Sequence, residues 1–167
     1  MKKYPKEGNR QFIETGYIWP ISKSVTPDEM NTSFGPRINN NKWNFHEGCD
    51  LPAPLGTPVY AMHSGEIVSA GDGDNNFSSR HVVIQSVDPT NSKSIFLVYL
   101  HLSYIDDKNI KKGVKVEIGQ YIGNVGSDGA TYPHLHFEFR EGTISHGSSI
   151  HPLIFYHITI LPIFMVK

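Results

Sequence analysis

Tyr132-Pro133-His134-Leu135-His136-Phe137-Glu138-Phe139-Arg140 reads as a β-strand, and its character decides the fold class. The turn signal Ser127-Asp128-Gly129 precedes it. Four more runs have the same β-rich make-up: Thr57-Pro58-Val59-Tyr60-Ala61-Met62, Gly65-Glu66-Ile67-Val68-Ser69-Ala70, His81-Val82-Val83-Ile84-Gln85-Ser86 and residues 94–101. Pro54-Leu55-Gly56, His63-Ser64-Gly65, residues 71–76 and Asp88-Pro89 punctuate them. No window of a dozen residues keeps a 3.6-residue apolar period, and residues 103–112 come nearest to one. The expectation is a mainly β fold, an antiparallel sandwich or barrel-like domain with little helix.

Within the deciding strand stands an H-x-H pair. Side chains alternate along a strand, so His134 and His136 share a face with Cα atoms roughly 6.7 Å apart. That spacing aims two imidazoles at one small volume. A second segment, His46-Glu47-Gly48-Cys49-Asp50, carries an H-x-x-x-D spacing. Its two ends share parity but would lie about 13 Å apart if fully extended, too far to grip one ion. Gly48 stands midway, where a bend costs least. Cys49 has the opposite parity and reads as a small buried hydrophobe, with a fourth thiolate ligand as the rival reading. Two imidazoles and a carboxylate with an open fourth position match a catalytic zinc site, since structural zinc fills all four positions with protein. Zinc lowers the pKa of water toward neutrality, which is what attack on an amide carbonyl needs.

The whole chain bounds these readings. Its 167 residues suit one domain, and an apolar share of 38% suits a folded one. A formal charge of −1 offers no basic footprint for nucleic acid, so that partner class is not expected. The single cysteine allows no internal disulfide and no multi-cysteine metal cluster. The basic residues at 2–6 have no apolar run behind them, so no signal peptide is visible. The apolar stretch 152–166 is short and interrupted by His157 and Pro162, which argues against a transmembrane segment. The expected organisation is an N-terminal extension over residues 1–16, one domain over 17–157, and a tail over 158–167 packed on it.

From Trp19-Pro20 to about Tyr156 the chain resembles the M23 (lysostaphin/LytM-type) zinc endopeptidases. The matching residues are Ser33-Phe34-Gly35-Pro36-Arg37, then the His46 to Asp50 segment and its continuation Leu51-Pro52-Ala53-Pro54-Leu55-Gly56-Thr57-Pro58-Val59-Tyr60-Ala61. Gly65-Glu66-Ile67-Val68, Tyr99-Leu100-His101-Leu102-Ser103, Gly119-Gln120-Tyr121-Ile122-Gly123-Asn124-Val125-Gly126 and Pro133-His134-Leu135-His136-Phe137-Glu138 follow in the family's order. The resemblance implies a zinc-dependent endopeptidase acting on peptidoglycan peptide in the bacterial cell wall, outside the cytoplasm. It implies His46, Asp50 and His136 as ligands of Zn2+, with His101 and His134 as unligated catalytic histidines. Arg37 is a candidate for binding a substrate carboxylate or carbonyl. Glu138 shares the histidines' face and is either an orienting partner of a ligand or a solvated strand residue. Residues 73–80 and 88–94 and Thr131-Tyr132-Pro133 depart from the family pattern, which bears on substrate preference because such loops rim the groove.

Two other functions compete. An inactive M23-like domain would bind wall peptide or regulate an amidase, and such domains lose ligands or catalytic histidines that this chain keeps. A phosphotransfer or lipoyl-type carrier would explain the Gly-containing 114–120 stretch. It would leave the Asp50 spacing without a purpose, and no lysine sits in a lipoyl-type hairpin.

Overall fold

The computed structural model describes residues 16–21, 34–74 and 76–152, and these described residues form twelve strands. In order they are β1 (Gly35–Asn39), β2 (Lys42–His46), β3 (Cys49–Pro52), β4 (Pro58–Tyr60), β5 (Gly65–Gly71) and β6 (His81–Val87). Then come β7 (Ser94–Leu100), β8 (Leu102–Ile105), β9 (Lys115–Val116), β10 (Tyr121–Val125), β11 (His134–Glu141) and β12 (Ser149–Ile150). Every pairing is antiparallel, and the described residues contain no α-helix. The antiparallel, strand-built class expected from the sequence is the class observed. No helix among the described residues is long and apolar enough to cross a membrane.

The largest sheet has the order β12-β11-β7-β6-β5-β9, and β3 pairs with β11 off that path. A three-stranded sheet, β4-β10-β8, and the β1–β2 hairpin complete the set. The hydrophobic core lies on one face of the large sheet. Leu135, Phe137 and Phe139 of β11 meet Cys49 and Leu51 of β3 and Leu97 and Tyr99 of β7 there, all fully enclosed. Burying each such aromatic or leucine side chain is worth about 1.5–3 kcal/mol, so this row fixes the register of β11. Its other face is enclosed too: His134, His136, Glu138 and Arg140 are all buried. Phe77, from the 72–80 loop, packs with Val83 and Val98 on that second face, beside partly buried Ile144.

Several strands had no strong signal in the sequence. β1 and β2 hold Gly, Pro, Asn and Lys and leave Ile38, Trp43 and Phe45 exposed, so neither shows a half-buried alternation. The hairpin forms because Asn40 and Asn41 both take left-handed backbone conformations, φ 50° and 58°, as a tight two-residue turn requires. Residues 103–112, nearest to a helical period, instead contain most of β8 followed by turns. Apart from Gly16 the expected N-terminal extension lies outside the described residues, as does the expected tail at 158–167.

Candidate active site

Pairing of β3 with β11 sets Asp50 directly opposite His136. His46 ends β2, and the chain bends through Glu47-Gly48 to bring it over the same point. Gly48 is needed for more than the bend. A Cβ there would stand 2.3 Å from the Phe137 carbonyl oxygen and 2.7 Å from His136 Nε2. Three donor atoms converge: His46 Nε2 lies 3.0 Å from His136 Nδ1 and 3.2 Å from Asp50 Oδ1, which is 2.8 Å from His136 Nδ1. All three residues are buried. Bonds of about 2.0–2.1 Å to a tetrahedral zinc would put its ligand atoms roughly 3.3 Å apart, so these edges come within about half an ångström of one zinc face. Two imidazole nitrogens 3.0 Å apart cannot both present lone pairs to each other, and a shared cation resolves that conflict.

Electrostatics point the same way. Burial alone would raise the Asp50 carboxyl, yet its hydrogen bonds with His134, His136 and His46 hold it far below the usual carboxylate range. Burial works against a charged His136, but hydrogen bonds to Asp50 and Glu138 push it up to about 9. The cluster is thus built around positive charge, which a divalent ion supplies without protons.

His101 and His134 sit beside this trio, their ring centroids 4.8 Å apart. Each ties Nδ1 to a backbone carbonyl: His101 to Asp128 at 2.7 Å and His134 to Tyr132 at 2.9 Å. A carbonyl only accepts, so both Nδ1 atoms carry the proton; that leaves His101 Nε2 as a lone pair, whereas His134 Nε2 faces the Asp50 carboxylate. His134 Nε2 lies 3.5 Å from Asp50 Oδ1. Burial pushes His101 down to about 4, with His136 and His134 nearby reinforcing the shift, so its imidazole is neutral at pH 7. His101 is the single residue between β7 and β8, which belong to different sheets, and its φ of 64° is a left-handed value costly for a side chain with a Cβ.

The cleft above these groups has a volume of about 480 Å³. Its walls are residues 37–40 of the hairpin and 129–132 of the loop before β11. Arg37 lines it, with Nη1 3.7 Å from Asp50 Oδ2 and Nε donating to Asn44 Oδ1 at 3.3 Å. All six residues singled out from the sequence, His46, Asp50, His136, His101, His134 and Arg37, therefore meet at one cleft. Cys49 faces the core, fully enclosed, and burial pushes its thiol up to about 11.

Glu138 is buried, which removes the solvated alternative. Its Oε1 lies 3.0 Å from His136 Nε2, and its Oε2 accepts from Arg140 Nε at 2.6 Å. Burial would raise it, but His136 and Arg140 bring it down to about 2. The sequence reading missed Arg140, which is 1% exposed and also donates to the Ile144 carbonyl. It missed Glu47 as well, whose Oε2 lies 3.5 Å from Arg140 and 2.8 Å from His146 Nδ1. The available signal was parity, since Arg140 continues the row His134, His136, Glu138.

Comparison with known proteins places this arrangement. The model of peptidase family M23 matches residues 44–152. Peptidoglycan DD-endopeptidase ShyA of Vibrio cholerae is 40% identical over 94 residues, which are 56% of this chain and 20% of that protein. Lysostaphin of Staphylococcus simulans is 34% identical over 123 residues, 73% of this chain and 23% of that protein. The chain thus spans about a quarter or less of the length of these relatives. Among solved structures, the catalytic domain of lysostaphin superposes with a TM-score of 0.63 at 31% identity, covering 75% of this chain and 90% of that one. A zinc-containing peptidase from Vibrio cholerae gives 0.63 at 26% identity, covering 85% of this chain and 44% of that one. With an all-antiparallel fold, a His/Asp/His cluster able to hold a metal and a family match over most of its length, this chain belongs to peptidase family M23.

Proposed function

We propose that the chain is an active zinc endopeptidase that hydrolyses peptide bonds in bacterial cell-wall peptidoglycan. The observation that carries this reading is the meeting of two kinds of histidine. His46 and His136 converge with Asp50 on one point, while His101 and His134 hold their Nδ1 protons on carbonyls beside it. An inactive relative has no need of the second pair.

His46 Nε2, Asp50 Oδ1 and His136 Nδ1 would hold the ion, and Glu138 would hold the His136 ring from its far side. When bound, zinc acidifies water and polarises the scissile carbonyl. His101, neutral and with a bare Nε2, accepts the proton of the attacking water as the new C–O bond forms. His101 then returns that proton to the departing amine, and His134, whose Nε2 lies beside Asp50 Oδ1, hydrogen-bonds the developing oxyanion when that nitrogen carries a proton. Arg37, on the hairpin wall, binds a carboxylate or carbonyl of the peptide. Relatives named as lipoproteins and as lysostaphin support an extracytoplasmic place of action.

The test is purified protein dialysed against zinc, assayed for metal by elemental analysis and for cleavage on sacculi of known chemistry. The expected result is one zinc per chain and new amino termini at a single type of peptide bond. Stoichiometric zinc without any cleavage would favour a binding domain, and neither zinc nor cleavage would end the proposal.

A further inference from the structure

We propose that Asp128 and the 72–80 loop form a brace that fixes the tautomer and position of His101, making Asp128 and Arg80 positioning residues. This rests on the peptidase reading above, in which His101 is the proton acceptor. As a departure from the family's sequence pattern, the loop was expected to rim the groove. The cleft walls come from residues 37–40 and 129–132 instead, and none of the described residues of the 72–80 loop lines it.

Its contacts concentrate on the three residues at the β7–β8 kink. His101 N–H donates to Ser79 Oγ at 3.4 Å. Leu102 N–H donates to the Arg80 carbonyl at 3.2 Å, and the Arg80 guanidinium donates to the Ser103 carbonyl. The guanidinium is itself held by Asp72 Oδ1 at 2.8 Å. Asp128 closes the ring from the other side. Its carboxylate accepts the Arg80 backbone N–H, while its carbonyl accepts His101 Nδ1–H at 2.7 Å. One residue therefore joins the loop to the imidazole.

The consequence is chemical. Only the Nδ1–H tautomer satisfies the Asp128 carbonyl, and only that tautomer leaves Nε2 as a lone pair facing the cleft. The ring also packs against the His134 and His136 rings, with centroids 4.8 and 5.8 Å away, but neither contact holds its Nδ1 proton. Loss of the Asp128 carboxylate therefore loosens the carbonyl that does and lets the imidazole exchange tautomers. Gly129 lets the turn run close, since a Cβ there would lie 3.2 Å from Ser79 Cβ.

The zinc-loaded full chain is the material for the test, as parent, Asp128→Ala, Asp128→Asn and Arg80→Met. Ring 15N shifts report the His101 tautomer, and kcat and KM on a soluble cross-linked muropeptide report its use. The parent is expected as Nδ1–H. Asp128→Ala is expected to show mixed tautomers and a kcat lower by about 10–100-fold, with KM and zinc content unchanged. Asp128→Asn keeps an oxygen for the Arg80 N–H and restores both readouts. Should Asp128→Ala fail to fold, Arg80→Met decides, with a shift of the same sense expected in both. A folded variant whose His101 shifts and kcat equal the parent's, or whose KM alone rises, overturns the brace. A parent that keeps the Nδ1–H tautomer yet cleaves nothing overturns the peptidase reading and leaves the brace standing.

Discussion

Gly48→Ala adds one methyl group at the place where the β2–β3 bend touches β11. The new Cβ would meet the Phe137 carbonyl oxygen at 2.3 Å, His136 Nε2 at 2.7 Å and Glu138 Cγ at 2.8 Å. Real Cβ atoms essentially never come nearer than 3.0 Å, so something must yield. Neither strand can, because Cys49 pairs with Phe137 and Asp50 with His136 immediately beyond the contact. Overpacking of this kind costs about 1–3 kcal/mol, which at about 2–4 °C per kcal/mol for a chain of this size lowers Tm by about 2–12 °C. The same methyl pushes on His136 Nε2, one end of the His136–Glu138 hydrogen bond, and on Cγ of the Glu138 side chain that supplies the other end. Loss of such an orienting partner weakens metal binding by about 10–100-fold. Thermal unfolding followed by circular dichroism, with and without zinc, reads the first effect, and competition against a chromophoric chelator reads the second. Gly142→Ala is the control, since no atom lies within 4 Å of its Cβ and its φ of 79° exacts only backbone strain. That control should lose stability by about 1–2 kcal/mol and keep its zinc affinity. If Gly48→Ala melts with the parent and binds zinc equally well, the close approach does not constrain the site.

Three further outcomes are expected. Asp50→Ala should lose zinc or bind it weaker by orders of magnitude, whereas His101→Ala should stay metal-loaded and lose about 10²–10⁴ in cleavage rate, as read by elemental analysis beside a peptide assay. Cys49→Ser should retain zinc content, because the thiol faces the core, and the native Cys49 should resist maleimide until the chain is denatured. Arg140→Met should destabilise by about 3–5 kcal/mol, since it strands the buried Glu138 carboxylate, and Arg140→Met/Glu138→Gln should recover part of that loss in a urea titration.

The legible parts of the molecule were those where periodicity and chemistry coincide. Strand β11 was visible because its aromatic residues and its H-x-H pair obey one alternation. The His46–Asp50 segment was visible because the ligand types and the intervening glycine fit a bend, although the steric demand at Gly48 needed coordinates. β1 and β2 stayed hidden because both faces of that hairpin are largely solvated, which erases the apolar alternation. Arg140 and Glu47 were hidden for another reason: charged residues are read as surface unless a partner is known, and their partnership spans 93 positions of sequence. The 72–80 loop was placed at the groove rim because loops usually lie there, whereas Phe77 pins it against the second face of the large sheet.

Strand β11 packs phenylalanine and leucine on one face and His134, His136, Glu138 and Arg140 on the other, with both faces enclosed. A slip of one residue against β3 or β7 would drive four polar or charged groups into the apolar interior and leave the aromatic side chains facing the cleft. Misthreading is thereby self-correcting: no metastable chain can keep a sound interior and a scrambled centre of reactivity. It follows that heat should abolish turnover and unfold the chain at one temperature, and that a single-residue insertion within 134–140 should remove the folded protein altogether and not merely its activity.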